Sequence, residues 1–211
     1  YPVPAGVTTE QAVLSEPLSI GAYGVRLSVP MAGARIAILG AGPIGLSVLL
    51  PALAQGAAAV YVTDRLDYRL DAARRAGATW AGNPDREDVV RAIAGREPLL
   101  LDAVFECCGQ QAAIDQAIEL LRPGGKLMLI GIPTVDRIAI PIDQARRKEL
   151  CLQNVRRQNH CVQPVLDLLA SGRLKVDFMI THRAPFAETP ALFDQVEHYR
   201  DGVIKALVEM P

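Results

Sequence analysis

Apolar positions along this chain follow two periods, and the order in which the periods alternate predicts an architecture. Short apolar runs rich in valine, isoleucine and leucine recur at 35–39, 58–63, 101–106 and 126–130, with a shorter one near 79–81. Each has the length of a strand buried on both faces. Stretches of helical period separate them at 43–54, 66–76, 85–94 and 110–121. Strands alternating with helices of this length need parallel neighbours and right-handed crossovers. The predicted fold class is therefore α/β, a doubly wound parallel sheet with helices on both faces.

The flanks read differently. Two prolines within residues 1–9 mark a surface lead-in, a helix starts near Thr9-Glu10 and breaks around Glu16-Pro17, and a second helical piece runs to about Ser28. Pro123-Gly124-Gly125 predicts a tight turn before the 126–130 strand. The run 137–142 reads as the edge strand of the sheet, since Pro133 and Pro141 suit an edge rather than a centre. A strand at 149–154 follows. Beyond about residue 157 come a helix 161–171 ended by Gly172, irregular chain, a helix 188–199 and a last strand 203–208. That tail is not another unit of the sheet. The expected division is a linker and helical segment 1–34, a nucleotide-binding domain 35–156 and a segment 157–211, the two ends belonging to an incomplete second domain.

The first strand runs into Gly40-Ala41-Gly42-Pro43-Ile44-Gly45, which opens a helix, and Asp64 closes the second strand. This order is the dinucleotide-binding fingerprint of a Rossmann sheet. Gly40 permits the tight turn, Gly42 lets the backbone approach a pyrophosphate, and Gly45 lets helix and strand pack closely, while free amides at the helix start attract an anion. Asp64, 19 residues past Gly45, can accept hydrogen bonds from both ribose hydroxyls and would repel a 2′-phosphate, so the expected cofactor is NAD rather than NADP. Arg65 beside it is able to neighbour a phosphate. Ligands of such sheets bind beyond the carboxyl ends of the strands. There Ile44 would lie beneath the pyrophosphate, and Ile130, Gly131 and Ile132 would offer backbone groups to the nicotinamide carboxamide. Cys108 falls at the same ends and has no basic neighbour to activate it.

Composition narrows the classes. The 22 basic and 23 acidic side chains nearly cancel, which leaves no electrostatic case for nucleic acid or an anionic membrane. No apolar run reaches membrane-spanning length. Four cysteines without CxxC spacing read as free thiols, which fits a reducing cytoplasm. His160, His182 and His198 share no ligand spacing, so no metal site is expected within the chain.

Several dispersed motifs together resemble the C-terminal two-thirds of the medium-chain zinc-dependent alcohol or polyol dehydrogenases, closest to the sorbitol dehydrogenase group. They are Glu16-Pro17-Leu18, the glycine turn, Thr63-Asp64 with Arg69-Leu70, Phe105-Glu106-Cys107, Arg122 to Gly125, Lys148-Glu149-Leu150, Thr181-His182-Arg183 and Ile204-Lys205. The resemblance implies hydride transfer between NAD and a secondary alcohol or polyol, with zinc present only in the intact enzyme and supplied by an N-terminal catalytic domain. It implies that this sequence is a piece of that longer enzyme. A non-catalytic NAD(H)-binding module acting with a partner is the alternative. The same resemblance places Glu16 beside the catalytic zinc, where the plain alternative is an acid favoured at a helix N-terminus by about 0.3–1 kcal/mol. It matches Arg69 to an adenosine-side contact and Arg157 to a substrate-site arginine. Gln158 stands where sorbitol dehydrogenases carry tyrosine, a departure that points from sorbitol itself to another polyol or secondary alcohol. Finally, it implies a homodimer, or a tetramer, through the edge 137–142.

Overall fold

The computed structural model describes residues 1–211. After helices α1 (Thr9–Val13) and α2 (Ser15–Leu27) come β1 (Arg35–Leu39), α3 (Pro43–Ala54), β2 (Ala59–Thr63), α4 (Asp67–Arg75), β3 (Trp80–Gly82), α5 (Val89–Ala94), β4 (Leu101–Glu106), α6 (Gln111–Leu120) and β5 (Leu121–Leu129). Helix α7 (Ile142–Arg147), β6 (Cys151–Asn154), α8 (Val162–Ala170), β7 (Ile180–Pro185), α9 (Thr189–Glu197) and β8 (Lys205–Glu209) complete the chain. The six-stranded sheet is ordered β3-β2-β1-β4-β5-β6, all parallel. The order reverses between β1 and β4, which opens a crevice at their carboxyl ends.

Side chains of alternate parity fill two cores. Ile36, Ile38, Val60, Val62, Phe105 and Met128 join one cluster, while Ala37, Leu39, Tyr61, Val104 and Leu127 join the other, so the clusters lie on opposite faces of the sheet. The first cluster takes in α2, α3, α4 and α8; the second is covered by α5 and α6. Helix α2 crosses α3 at close range. A Cβ on Gly21 would lie 1.9 Å from the Ser47 carbonyl oxygen. Pro51, four residues on, has no N–H to give that carbonyl, so the gap in the helix ladder is where α2 passes.

Several boundaries moved for identifiable reasons. The break between the first helices falls at Leu14, because Pro17 sits in the first turn of α2, where a missing N–H costs nothing. Helix α5 starts at Val89 rather than 85: Asp88 caps it by accepting from the Arg91 amide, and Asn83 holds the preceding turn through the Asp85 amide. The Pro123-Gly124-Gly125 turn is carried as an irregularity of β5, whose Leu121 already pairs with Leu101. In the tail, Ile180–Pro185 is a strand rather than irregular chain, and it pairs parallel to β8 across α9.

The largest correction concerns 137–142. No sheet strand forms there; the edge beside β5 is taken by β6, and Ile142 already begins α7. The segment is paired to a side chain instead. Gln111 accepts from the Ala139 amide at 2.8 Å and donates to its carbonyl at 2.9 Å, so one carboxamide replaces one strand neighbour. Ile138 and Ile140 rest half-buried on the second core.

Both flanks enter the fold, and they are tied to each other. Leu14 and Leu18 from the first, and Val165, Leu174 and Met179 from the last, are buried in the same cluster. Arg183 of β7 grips both carboxylate oxygens of Glu10 at 2.5 and 2.7 Å, and the Gln11 side chain donates to Asp177 at 2.9 Å. Large apolar side chains nevertheless remain exposed on these flanks, among them Val13, Phe186, Phe193 and Met210. No helix is long and apolar enough to cross a membrane.

Candidate functional site: a cofactor cleft at the strand ends

The three glycines of the turn do different work. Gly40 has φ +103°, and a Cβ there would stand 3.1 Å from that of Cys108. At Gly45 a Cβ would lie 1.8 Å from the Gly40 carbonyl oxygen. Both glycines are required by the fold itself. Gly42 is open: the nearest atom to its missing Cβ is Nη1 of Arg69 at 3.4 Å. It caps α3, and Pro43 occupies the first helical position. The amides of Ile44 and Gly45 in that first turn have no backbone partner. Bare backbone and free amides at a helix N-terminus suit a pyrophosphate.

A cavity of about 350 Å³ lies over this turn, walled by Gly40, Gly42, Pro43, Asp64, Arg69 and Cys108. Asp64 is nearly buried, its side chain 8% exposed. One oxygen accepts from the Ala41 amide at 2.7 Å and the other from the Leu66 amide at 2.9 Å. A carboxylate offers about four acceptor sites, so each oxygen keeps one for a ribose hydroxyl. Arg69 stands 3.8 Å from Asp64 and lies over the rings of Tyr199 and Tyr68, with centroids at 4.9 and 5.8 Å. Its buried Nε has no partner, which marks a donor available to an acceptor. Arg65 points elsewhere, exposed and bonded to Asp85 at 2.7 Å.

A second cavity, about 760 Å³, shares Ile44 and Cys107 with the first and continues the cleft toward β6. Its walls include Ile130, Gly131 and Ile132, then Asn154, Arg156 and Arg157. Beneath them lies Glu106, only 1% exposed. One of its oxygens accepts from the amides of Cys108 and Gly109 at 2.8 and 2.6 Å. The other presses on Gly131, where a Cβ would come within 2.6 Å. Glu106 therefore fixes the loop that forms the bed of this cavity.

The cleft brings together the expected cofactor residues except Arg65 and Gly45, the latter lying behind the wall in the first turn of α3. Cys108 lies beside the glycine turn rather than in the larger cavity. Burial first, and then the Glu106 carboxylate, push its thiol up to about 12 and hold that of Cys107 well above the usual range, so neither is a nucleophile. Arg157 lines the larger cavity, but Gln158 does not, and its amide oxygen accepts from the Cys161 amide at 3.0 Å. Glu16 is exposed at the start of α2, off the cavity wall; Ile20, one turn later on the same helix face, does line it. No group of three His, Cys, Asp or Glu side chains converges anywhere, so this chain's residues do not fit a zinc ion. Sequence reading missed Arg156, the anchoring role of Glu106, and the wall made by Val196, Tyr199, Val203 and Ile204. Glu106 did carry a signal, an acid closing the apolar run Ala103-Val104-Phe105. Tyr199 carried none, being 130 residues from the arginine it covers.

Known proteins bear on this cleft. The zinc-binding dehydrogenase family matches residues 43–171. A putative D-xylulose reductase of Rhizobium meliloti is 33% identical over 100% of this chain and 61% of its own length. Human sorbitol dehydrogenase is 32% identical over 92% of this chain and 55% of its own. A solved structure, a putative zinc-binding dehydrogenase from Sinorhizobium meliloti bound to NADP, superposes with a TM-score of 0.91 at 30% identity, covering 99% of this chain and 61% of that one. The chain thus spans rather more than half the length of the relatives it matches. The family match covers most of the Rossmann sheet and the helix that opens at the glycine turn, and on that ground this chain belongs to the zinc-binding dehydrogenases.

Proposed function

We propose that this chain is the NAD(H)-binding portion of an oxidoreductase that moves hydride between a secondary alcohol or polyol and NAD. The observation that carries the reading is Asp64, a buried carboxylate with one acceptor site left on each oxygen at the rim of the glycine turn. Two ribose hydroxyls would satisfy those sites, whereas a 2′-phosphate would meet a fixed negative charge. The bound nicotinamide would supply the hydride chemistry. The chain's own residues orient it. Gly42, Pro43, Ile44 and Gly45 bed the pyrophosphate, Asp64 and Arg69 hold the adenosine side, Cys108 packs beside the turn, and Ile130, Gly131 and Ile132 present backbone to the carboxamide. Arg65 stands outside this set. Polyols as substrates are supported by relatives named for sorbitol and D-xylulose. Those names also disfavour a non-catalytic module.

Zinc belongs to the intact enzyme, with ligands from outside this chain and Glu16 near them on the face of α2 that leads to Ile20. The flanks 1–34 and 157–211 would return to that catalytic domain, which would cover their exposed apolar side chains and continue the two-stranded sheet, whose edges are open. Gln158 joins the substrate side only by holding the Arg157 turn. The 137–142 segment would pair with its own copy, since Gln111 occupies one side of Ala139 and the backbone groups of Ile138 and Ile140 have no partner in the chain. That gives a homodimer, or a tetramer built from it, in the cytoplasm. In sedimentation analysis Ile140→Pro, which removes an edge amide, should yield monomer with NAD binding retained.

Calorimetry with NAD and NADP tests the core of the reading. NAD should bind at least about ten-fold more tightly, and Asp64→Ala should narrow the gap. Equal affinities would remove Asp64 from its role. The chain alone should show no zinc-dependent alcohol oxidation, and robust turnover by it would overturn the assignment of the metal ligands elsewhere.

A further inference from the structure

The far end of the larger cavity carries a pair of charges that the fold does not use. Arg156 and Arg157 line it side by side, in the connection from β6 to α8. Neither takes part in any ion pair or hydrogen bond of the protein, whereas the arginines of the cofactor end are matched, Arg65 to Asp85 and Arg69 to Asp64. Glu106 is the only carboxylate on the cavity wall, and it is buried and bonded to the amides of Cys108 and Gly109. It does not neutralise the pair.

The connection is also held in a conformation that chains avoid without cause. Arg157 has φ +62° and His160 φ +52°, both in the left-handed region that disfavours side chains with a Cβ. Three contacts pin the turn. The Arg26 guanidinium donates to the Asn159 carbonyl at 2.5 Å, Gln158 accepts from the Cys161 amide, and Cys161 itself is 4% exposed in the core. A strained, pinned turn that lines a cavity with two arginines whose side chains have no partner in the chain is built to receive something. The pyrophosphate is not the natural candidate, because the helix N-terminus that suits it lies in the smaller cavity, whose wall includes neither arginine.

We propose that this end of the cleft binds an anionic substrate, a polyol or secondary alcohol bearing a carboxylate or phosphate that Arg156 and Arg157 hold while its hydroxyl carbon faces Gly131. Guanidinium forks match either oxyanion in bidentate fashion, and the shared chemistry is the negative oxygen group. The proposal rests on the NAD-dependent reading above, and names the substrate class for that same cleft.

The test uses the natural gene product that contains this chain, loaded with NADH, and calorimetry with gluconate, sorbitol phosphate and sorbitol. At least one anionic probe should bind about ten-fold more tightly than sorbitol, and that preference should weaken with salt. Arg156→Ala and Arg157→Ala should each cost about ten-fold in affinity for that probe, with lysine restoring part of it and NAD affinity staying within about two-fold. Which of the two anions binds decides between carboxylate and phosphate. Failure to bind NADH at all would sink the functional reading itself. Normal NADH binding with sorbitol bound as well as the anions, or with neither anion bound, overturns the anionic substrate alone. A ten-fold loss of NAD affinity in the arginine variants would also overturn it, since the guanidiniums would then serve the cofactor.

Discussion

The two ends of the cleft are finished to different degrees. Beside the glycine turn the key side chains are held by the chain itself: Asp64 holds two amides, and Arg69 lies over two tyrosine rings. At the other end Ile132 is 90% exposed and two arginines face open space. In the proposed reading the first end is preorganised for a cofactor, and the second awaits groups that would arrive with the substrate or with a neighbouring domain. Stability should therefore depend on the first end and selectivity on the second.

Substitutions within the glycine turn break this comparison most strongly. Gly45→Ala places a Cβ 1.8 Å from the Gly40 carbonyl oxygen, which only backbone movement relieves. The expected loss is about 3 kcal/mol or more, a fall of roughly 6–12 °C in Tm. Gly42→Ala has room, with Arg69 at 3.4 Å its nearest neighbour, so Tm should hold while NAD affinity drops about ten-fold. Scanning calorimetry and titration separate the two. A stable Gly45→Ala protein would mean that the turn is not rigid.

Glu106 lies where the two ends meet. Glu106→Ala strands the amides of Cys108 and Gly109, at a cost of about 2–5 kcal/mol. Glu106→Gln keeps an acceptor oxygen and should recover more than half of that in urea denaturation. Equal losses for both variants would assign the effect to charge rather than to the held loop.

These residues also divide what sequence could and could not disclose. The sheet, its helices and the Gly40–Asp64 unit were legible because local period and turn chemistry dictate them. The 137–142 segment misled, because apolar alternation promises a strand but not a partner, and the position beside β5 went to β6. The β7–β8 pair was hidden by the 25 positions between the paired Ile180 and Lys205, a nonlocal pairing without a local signature. Arg156 was passed over because an arginine in a loop looks like solvated surface until its partners are counted.

A smaller effect links the fold to pH. Burial, with the Glu106 carboxylate second, raises the Cys108 thiol from 9.0 to about 12, and burial with Glu97 raises Tyr61 from 10.0 to about 12. Both groups are held neutral by the fold. Their contribution to stability is complete below the unfolded values and is lost as pH climbs toward the folded ones. Urea midpoints should hold near neutrality and decline from about pH 9 upward, with Tyr61→Phe flattening the decline. An unchanged slope in that variant would place the alkaline loss elsewhere.

The smallest change sharpens the cofactor choice. Arg65 is 76% exposed and bonded to Asp85, itself 52% exposed, at 2.7 Å. Surface pairs of this kind contribute little, so Asp85→Ala should move Tm by no more than about a degree or two. Its effect belongs in binding. Freed from Asp85, Arg65 can turn toward a 2′-phosphate, while Asp64 still repels that group. The two charges then oppose each other at one position. NADP affinity should rise only about two- to three-fold and NAD affinity should not change. A rise beyond ten-fold would make Asp85, rather than Asp64, the residue that keeps NADP out. Asp64→Ala combined with Asp85→Ala gives the decisive value: if Asp64 is the barrier, the pair of changes raises NADP affinity by more than the product of the single effects, because the released arginine then meets a phosphate that nothing repels.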